Sequence, residues 1–164
     1  MRETPPSDPY NLALKWLALR ELSGFQIRQR LEARQVPTQT IDDVIAKLES
    51  GGALDDRRTA LASARTEALV KRHGRMRVMR QLQSMGIDRE VAGSAVREVF
   101  EEVNEVELME RALASRIGHR DRTIRDPAEY RRLFAFLVRQ GFDAPAVSAL
   151  LRGRARAAAR PDEE

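Results

Sequence analysis

The chain contains no cysteine, which excludes a disulfide framework, a thiolate zinc site, an iron–sulfur cluster and a cysteine nucleophile. Its two histidines, His73 and His119, leave little for a histidine-based metal site or catalytic apparatus. No stretch approaches the roughly 20 apolar residues of a membrane span, and Met1 to Asp8 lacks the apolar run of a signal peptide. None of the nine glycines falls in a GxGxxG or GxxxxGK pattern, so nucleotide binding has no motif behind it. Together these absences predict a cytoplasmic protein with no membrane contact, no cofactor and no enzymatic activity. Aromatics are also scarce, at 5%, and no alternating apolar run bounded by turn residues reads as a strand.

What remains is helix material: 42% apolar and 33% charged residues in a chain of 164. The composition suits small helical layers, and the fold class expected is all-α. Three segments share one grammar: Leu31 to Pro37, Leu82 to Asp88 and Leu137 to Asp143. In each, a helix carries leucine on its buried face, stops near Gln35, Gly86 or Gly141, and sends Val36, Ile87 or Phe142 inward. A left-handed residue followed by an apolar one is the pattern of a Schellman stop, from which Gln35 departs because it is not glycine. The leucines lie 51 and 55 residues apart, which suits tandem three-helix repeats.

The repeats are drawn at 9–55, 56–103 and 104–152, with disordered tails at 1–8 and 153–164. Because each is too small to bury its own face, they are expected to stack into an elongated, curved array. In the first repeat, Tyr10, Ala13, Leu14 and Leu17 form one stripe of a helix over about Pro9 to Leu22. Ser23 caps a second helix holding Phe25, Ile27 and Leu31. Thr38 or Thr40 caps a third, with Thr40 and Asp43 as a capping box, and Gly51 and Gly52 end it. The second repeat is expected to hold helices at Asp56 to Arg72, Arg75 to Met85 and Asp88 to about Val103. The third holds them at Asn104 to Ile117, Pro127 to Gln140 and Asp143 to Arg152, with a polar, mobile loop from Gly118 to Asp126.

Asp55 and Asp56 could serve acid–base chemistry in a small hydrolase, but side by side before a helix they read as N-terminal caps. His73 lies in the basic turn from Lys71 to Arg75 and reads as solvated or phosphate-facing, as does His119. Trp16 on the first amphipathic helix reads as a packing residue.

Charge is the remaining signal. The 29 basic residues, against 25 acidic ones, are 26 Arg and 3 Lys, and the formal net charge is +4. Arg65, Lys71, Arg72, Arg75, Arg77 and Arg80 crowd one stretch that holds a single acid, Glu67. From Glu98 to Glu110 the chain carries six acids and no base. The six basic residues are the candidate partner-binding set, fit for phosphate or for an acidic protein groove. The acidic run reads as a solvated helix face.

The order and spacing of several motifs resemble the RecX family of regulatory proteins. The opening helix, Tyr10-x-x-Ala13-Leu14-x-x-Leu17-Ala18-x-Arg20-Glu21-x-Ser23, is similar to the family's start. Leu31 to Val36, then Leu48-x-x-x-Gly52-Ala53-Leu54-Asp55-Asp56-x-Arg58-x-Ala60, resembles its signature. Arg72-x-Gly74, Leu82-x-x-x-Gly86-Ile87 and Phe136-Leu137-x-x-x-Gly141-Phe142 extend the likeness over residues 9–152. Thr59 and Leu22 stand where the family favours aromatics, and Gln35 where it favours glycine. The resemblance implies a non-enzymatic array of three-helix units that binds the RecA recombinase filament on single-stranded DNA; the chain itself is expected to be a monomer. It would occupy the filament groove and inhibit ATP hydrolysis, strand exchange and co-protease activity. The alternative is a helical protein that binds DNA without sequence preference through the same basic stretch and does not act on RecA.

Overall fold

The computed structural model describes residues 8–117, 124 and 126–158, with side chains up to 155. Its elements are α1 (Pro9–Leu19), α2 (Gly24–Glu32), α3 (Thr38–Ser50), α4 (Asp56–Arg65) with a π-helical turn (Thr66–Val70), α5 (Arg75–Ser84), α6 (Arg89–Glu102), α7 (Glu105–Ile117), α8 (Pro127–Arg139) and α9 (Ala144–Ala158). Among the described residues there is no strand, and the chain is an all-α helical-repeat protein.

Short polar side chains start most of these helices by accepting hydrogen bonds from otherwise orphaned backbone N–H groups. Asp8 precedes Pro9 and accepts from Tyr10 N, while Ser23 and Gln26 form a reciprocal capping box. Asp55 accepts from Arg58 N, Asp88 from Glu90 N, Asn104 from Val106 N, Asp126 from Glu129 N and Asp143 from Ala146 N. The third helix departs from expectation: Pro37 occupies its cap without a side-chain bond, and Thr38 and Thr40 lie inside the helix. The Asp43 carboxylate instead accepts from Gln39 at 3.1 Å.

Three further boundaries differ from the sequence reading. Helix α1 ends at Leu19, not Leu22, because Arg20 is extended and Leu22, 1% exposed, turns into the core. Helix α4 ends at Arg65 and continues only as the π-helical turn, in which Lys71 N donates to Thr66 O. Helix α9 runs to Ala158, past Arg152, since the alternating Arg and Ala residues are strong helix formers. The expected loop from Gly118 to Asp126 lies outside the described residues except at 124 and 126, and His119 lies outside them too.

The shared grammar is realised bond for bond. Val36 N donates to Leu31 O, Ile87 N to Leu82 O and Phe142 N to Leu137 O. One residue earlier, Gln35 N donates to Glu32 O, Gly86 N to Gln83 O and Gly141 N to Val138 O. All three stop residues have positive φ: 60° at Gln35, 72° at Gly86 and 94° at Gly141. Gln35 therefore does the work of a glycine and carries the backbone strain that a side chain brings there. The leucines at the three stops are fully buried, each stabilising the fold by about 2 kcal/mol through lost water contact.

By contact the chain forms two compact units. The first comprises 1–63 and 82–95; the second, 64–81 and 96–164. In the first unit α3 packs on α1 and α2, and Ala13, Leu22, Ile27, Leu31, Ile41, Val44, Leu48 and Leu54 form the core. The Ser23 hydroxyl donates to Met85 O, Phe25 closes on Gly86, and Gly24 N donates to Asp56 Oδ1 at 2.8 Å. Thr59 and Leu22 are joined, the buried Thr59 hydroxyl donating to Leu22 O at 3.3 Å. In the second unit α7, α8 and α9 pack pairwise, and Leu108, Met109, Leu113, Leu133, Leu137, Val147 and Leu151 are buried. There Gly74 N donates to Gln140 O at 2.9 Å and Met76 N to Gly141 O at 3.2 Å.

Gly141→Ala should destabilise the chain by about 2 kcal/mol or more, because the added methyl meets Arg77 backbone and sits at positive φ. Gln35→Gly should stabilise it by about 0.5–1 kcal/mol by relieving that same conformation. Urea unfolding of the two variants beside the parent measures both, and a stabilised Gly141→Ala protein would contradict this account of the stop.

Candidate partner-binding surface

The basic stretch runs from the end of α4 through the π-helical turn and the turn 71–74 into α5, and it lies in the second unit. Its centre is an acid. Glu67 is 5% exposed, with Lys71 Nζ at 2.5 Å from one oxygen and His73 Nδ1 at 2.7 Å from the other. His73 N also donates to Glu67 O at 3.0 Å, which ties the turn to the helix end. His73 is therefore buried and internally paired, which corrects the expectation of a solvated or phosphate-facing ring.

The electrostatics of the pair follow from its position. Burial opposes ionisation of Glu67, but hydrogen bonds from Lys71 and His73 together with the Lys71 charge outweigh it and hold the carboxyl below its ordinary range. Burial also disfavours the charged imidazole, and Arg77 and Lys71 add repulsion. These effects exceed the pull of Glu67, so the His73 pKa falls below its usual value. At neutral pH an uncharged ring donates Nδ1–H to an ionised carboxylate.

The six candidate residues divide by what holds them. Arg65 faces Glu98 at 3.9 Å, and Lys71 pairs with Glu67. Arg75 pairs with Glu105 at 2.9 Å, donates to Phe100 O and lies 4.8 Å over the Phe100 ring. Arg77 donates to Gln140 Oε1 at 3.0 Å. Arg72, at φ 60°, and Arg80 are exposed and unpaired among the described residues. Beside them Leu69, Val70 and Met76 are 56%, 71% and 62% exposed. Thus two arginines unpaired among the described residues and three exposed apolar side chains of the same stretch remain for a partner, a composition suited to an acidic protein surface that also offers apolar contacts.

The other residues singled out in the sequence have structural roles. Asp55 caps α4 and Asp56 holds the start of α2. Trp16 packs half-buried against the first core, with the Arg30 and Arg34 guanidinium groups 5.4 and 4.8 Å from its ring centre. Part of the acidic run is internally paired: Glu105 with Arg75, Glu107 with Arg111, and Glu110 with Arg154. Among the described residues no cluster of three or more acids or histidines is placed to hold a metal, and no helix is long and apolar enough to cross a membrane. Sequence reading missed Glu67 as the anchor of the basic turn. Its signal was its solitude among cations.

Comparison with known proteins shows what the chain is similar to. The family model described as "RecX, first three-helix domain" matches residues 10–48, the span of α1 to α3. The Regulatory protein RecX of Pelodictyon phaeoclathratiforme is 29% identical over 140 residues, covering 85% of this chain and 84% of the relative. That of Amycolatopsis mediterranei is 29% identical over 147 residues, covering 85% and 81%. The crystal structure of RecX from Lactobacillus salivarius superposes with a TM-score of 0.73 at 21% identity, covering 90% of this chain and 94% of that one. Along most of its length the chain is similar to proteins named Regulatory protein RecX. Those relatives carry the name of a regulatory protein, so a regulatory role without enzymatic activity is the one the comparison supports.

Because the folded state keeps His73 neutral while the unfolded chain protonates it below about pH 6.5, the unfolded chain binds more protons there. Stability is therefore present above that pH and falls as the pH drops, and protonation of Glu67 adds a further loss at lower pH. The melting temperature should decline as the pH falls below about 6.5. His73→Gln should flatten that decline. An equal decline in parent and variant would assign the effect elsewhere.

Proposed function

We propose that this protein is a member of the RecX family and a negative regulator of the RecA recombinase that occupies the groove of the RecA filament on single-stranded DNA. Its likeness to regulatory proteins of the same name along most of the chain supports the role. The observation that carries the contact is that Arg72 and Arg80 are unpaired among the described residues and share their stretch with the exposed Leu69, Val70 and Met76. Cations without an internal acid keep their field for a partner, and exposed apolar side chains gain by leaving water. Repeats at 9–55, 56–103 and 104–152 would engage neighbouring protomers together, so that modest contacts add through multivalency.

Groove occupation would hinder ATP hydrolysis, strand exchange and co-protease activity by blocking motion between protomers. The protein acts as a monomer in the cytoplasm and needs no cofactor of its own; the ATP is RecA's. Of the six basic residues, Arg72 and Arg80 make the contact. Arg65, Lys71, Arg75 and Arg77 shape the surface through their internal partners.

Arg72→Glu together with Arg80→Glu should weaken inhibition of ATP hydrolysis by RecA preassembled on single-stranded DNA by about tenfold, and should reduce its salt dependence. Unchanged inhibition by the folded variant would refute the assigned contact. If the parent leaves hydrolysis unaffected while binding bare DNA in a salt-dependent way, the protein is a nonspecific DNA-binding module.

A further inference from the structure

The second unit contains a cavity of about 620 Å³ between the C-terminal end of α7 and one face of α8. Arg116, Arg131, Arg132 and Arg139 line it, above a floor that includes Leu133 and Phe136. The helix period explains the gathering: Arg132, Phe136 and Arg139 recur at i, i+4 and i+7 along one stripe of α8, and Arg131 lies beside it. Arg116 reaches across from α7 and lies 5.7 Å over the Phe136 ring, which fixes one guanidinium against the floor.

Acids elsewhere on α7 pair with Arg75, Arg111 and Arg154, but none of these four arginines has an ion pair among the described residues. Glu129 is the acid on the lining, and the field of Arg131 and Arg132 extends to Asp126 at the start of α8. The cavity therefore has a strong positive excess, planar donors matched to phosphate oxygens, and an apolar floor with one aromatic ring.

We propose that this cavity is a binding site for single-stranded nucleic acid, the arginines holding successive phosphates and the Phe136 floor receiving a base. The site is separate from the Arg72 and Arg80 contact and does not depend on it. Nucleic acid is favoured over an acidic peptide because four guanidinium groups around an apolar, partly aromatic floor match a ligand that alternates phosphate and flat base. A run of carboxylates would leave that floor without a counterpart.

The test is fluorescence anisotropy of a short labelled oligothymidylate with the full chain over a series of salt concentrations. Arg132→Glu with Arg139→Glu should lower affinity tenfold or more. Neutral Arg132→Gln with Arg139→Gln should lower it less and reduce the salt slope by about 1.4, as expected for two lost phosphate contacts on a single strand. A charge-matched control on α6, Arg89→Glu with Arg97→Glu, should remain within about twofold of the parent. Circular dichroism melting confirms folding, and the neutral pair keeps the test open should the reversed pair unfold.

Three results would each overturn the site: no binding by the parent, equal losses in control and cavity variants, or an unchanged salt slope in the neutral variant. Displacement of the oligonucleotide by polyglutamate at equal charge concentration would also overturn it, in favour of an acidic protein ligand.

Discussion

A single backbone device, the left-handed helix stop, organises most of this molecule. At 31–36, 82–87 and 137–142 the same pair of hydrogen bonds closes a helix behind a buried leucine and turns the next apolar residue back toward it. The carbonyl three residues beyond the leucine is then left available. At Met85 it accepts from the Ser23 hydroxyl, and at Gln140 from Gly74 N. Ser23 and Gly74 each stand eight residues before their own stop leucine, so one register rule recurs in both compact units. A side chain at 86 would meet the Phe25 side chain and one at 141 the backbone of Arg77, which is why glycine stands at both, while the exposed Gln35 accepts the strain.

The charge pattern acquires meaning through this frame. A basic run of six residues looks uniform as a string, yet the turn that positions it also buries Glu67 and spaces α5 to meet Glu105, Gln140 and the Phe100 ring. Exposed pairs of this kind contribute under about 1 kcal/mol each to stability. Their larger effect is to settle which cations keep an unopposed field. Among the described residues Arg72 and Arg80 keep theirs, and the four arginines around the α7 and α8 cavity outnumber the one acid, Glu129, on its lining. A regulator without catalytic groups works through such surfaces, because its effect on a partner is limited to the free energy of the contacts it makes.

The helices, their caps and the three stops were legible because their causes are local. Ser23 and Asp55 cap where their spacing predicts, and the Leu-to-apolar pattern marks each stop. Local reading failed where distant atoms intervene. Leu22 leaves α1 because the core and Thr59 hold it, and Thr40 does not cap α3 because Pro37 begins the helix earlier. His73 looked solvated because it lies in the basic turn from Lys71 to Arg75, but the π-helical turn brings Glu67 beneath it.

The sequence by itself determined the all-α class, the repeat spacing, the family likeness and the location of excess positive charge along the chain. Periodicity, capping and composition act within a few residues and leave their signature in the string. Tertiary structure alone decided which charges are internal, which arginines converge on a cavity, and which apolar side chains stay in water. These properties depend on atoms brought together from positions tens of residues apart, whose electrostatic and packing energies no local pattern contains.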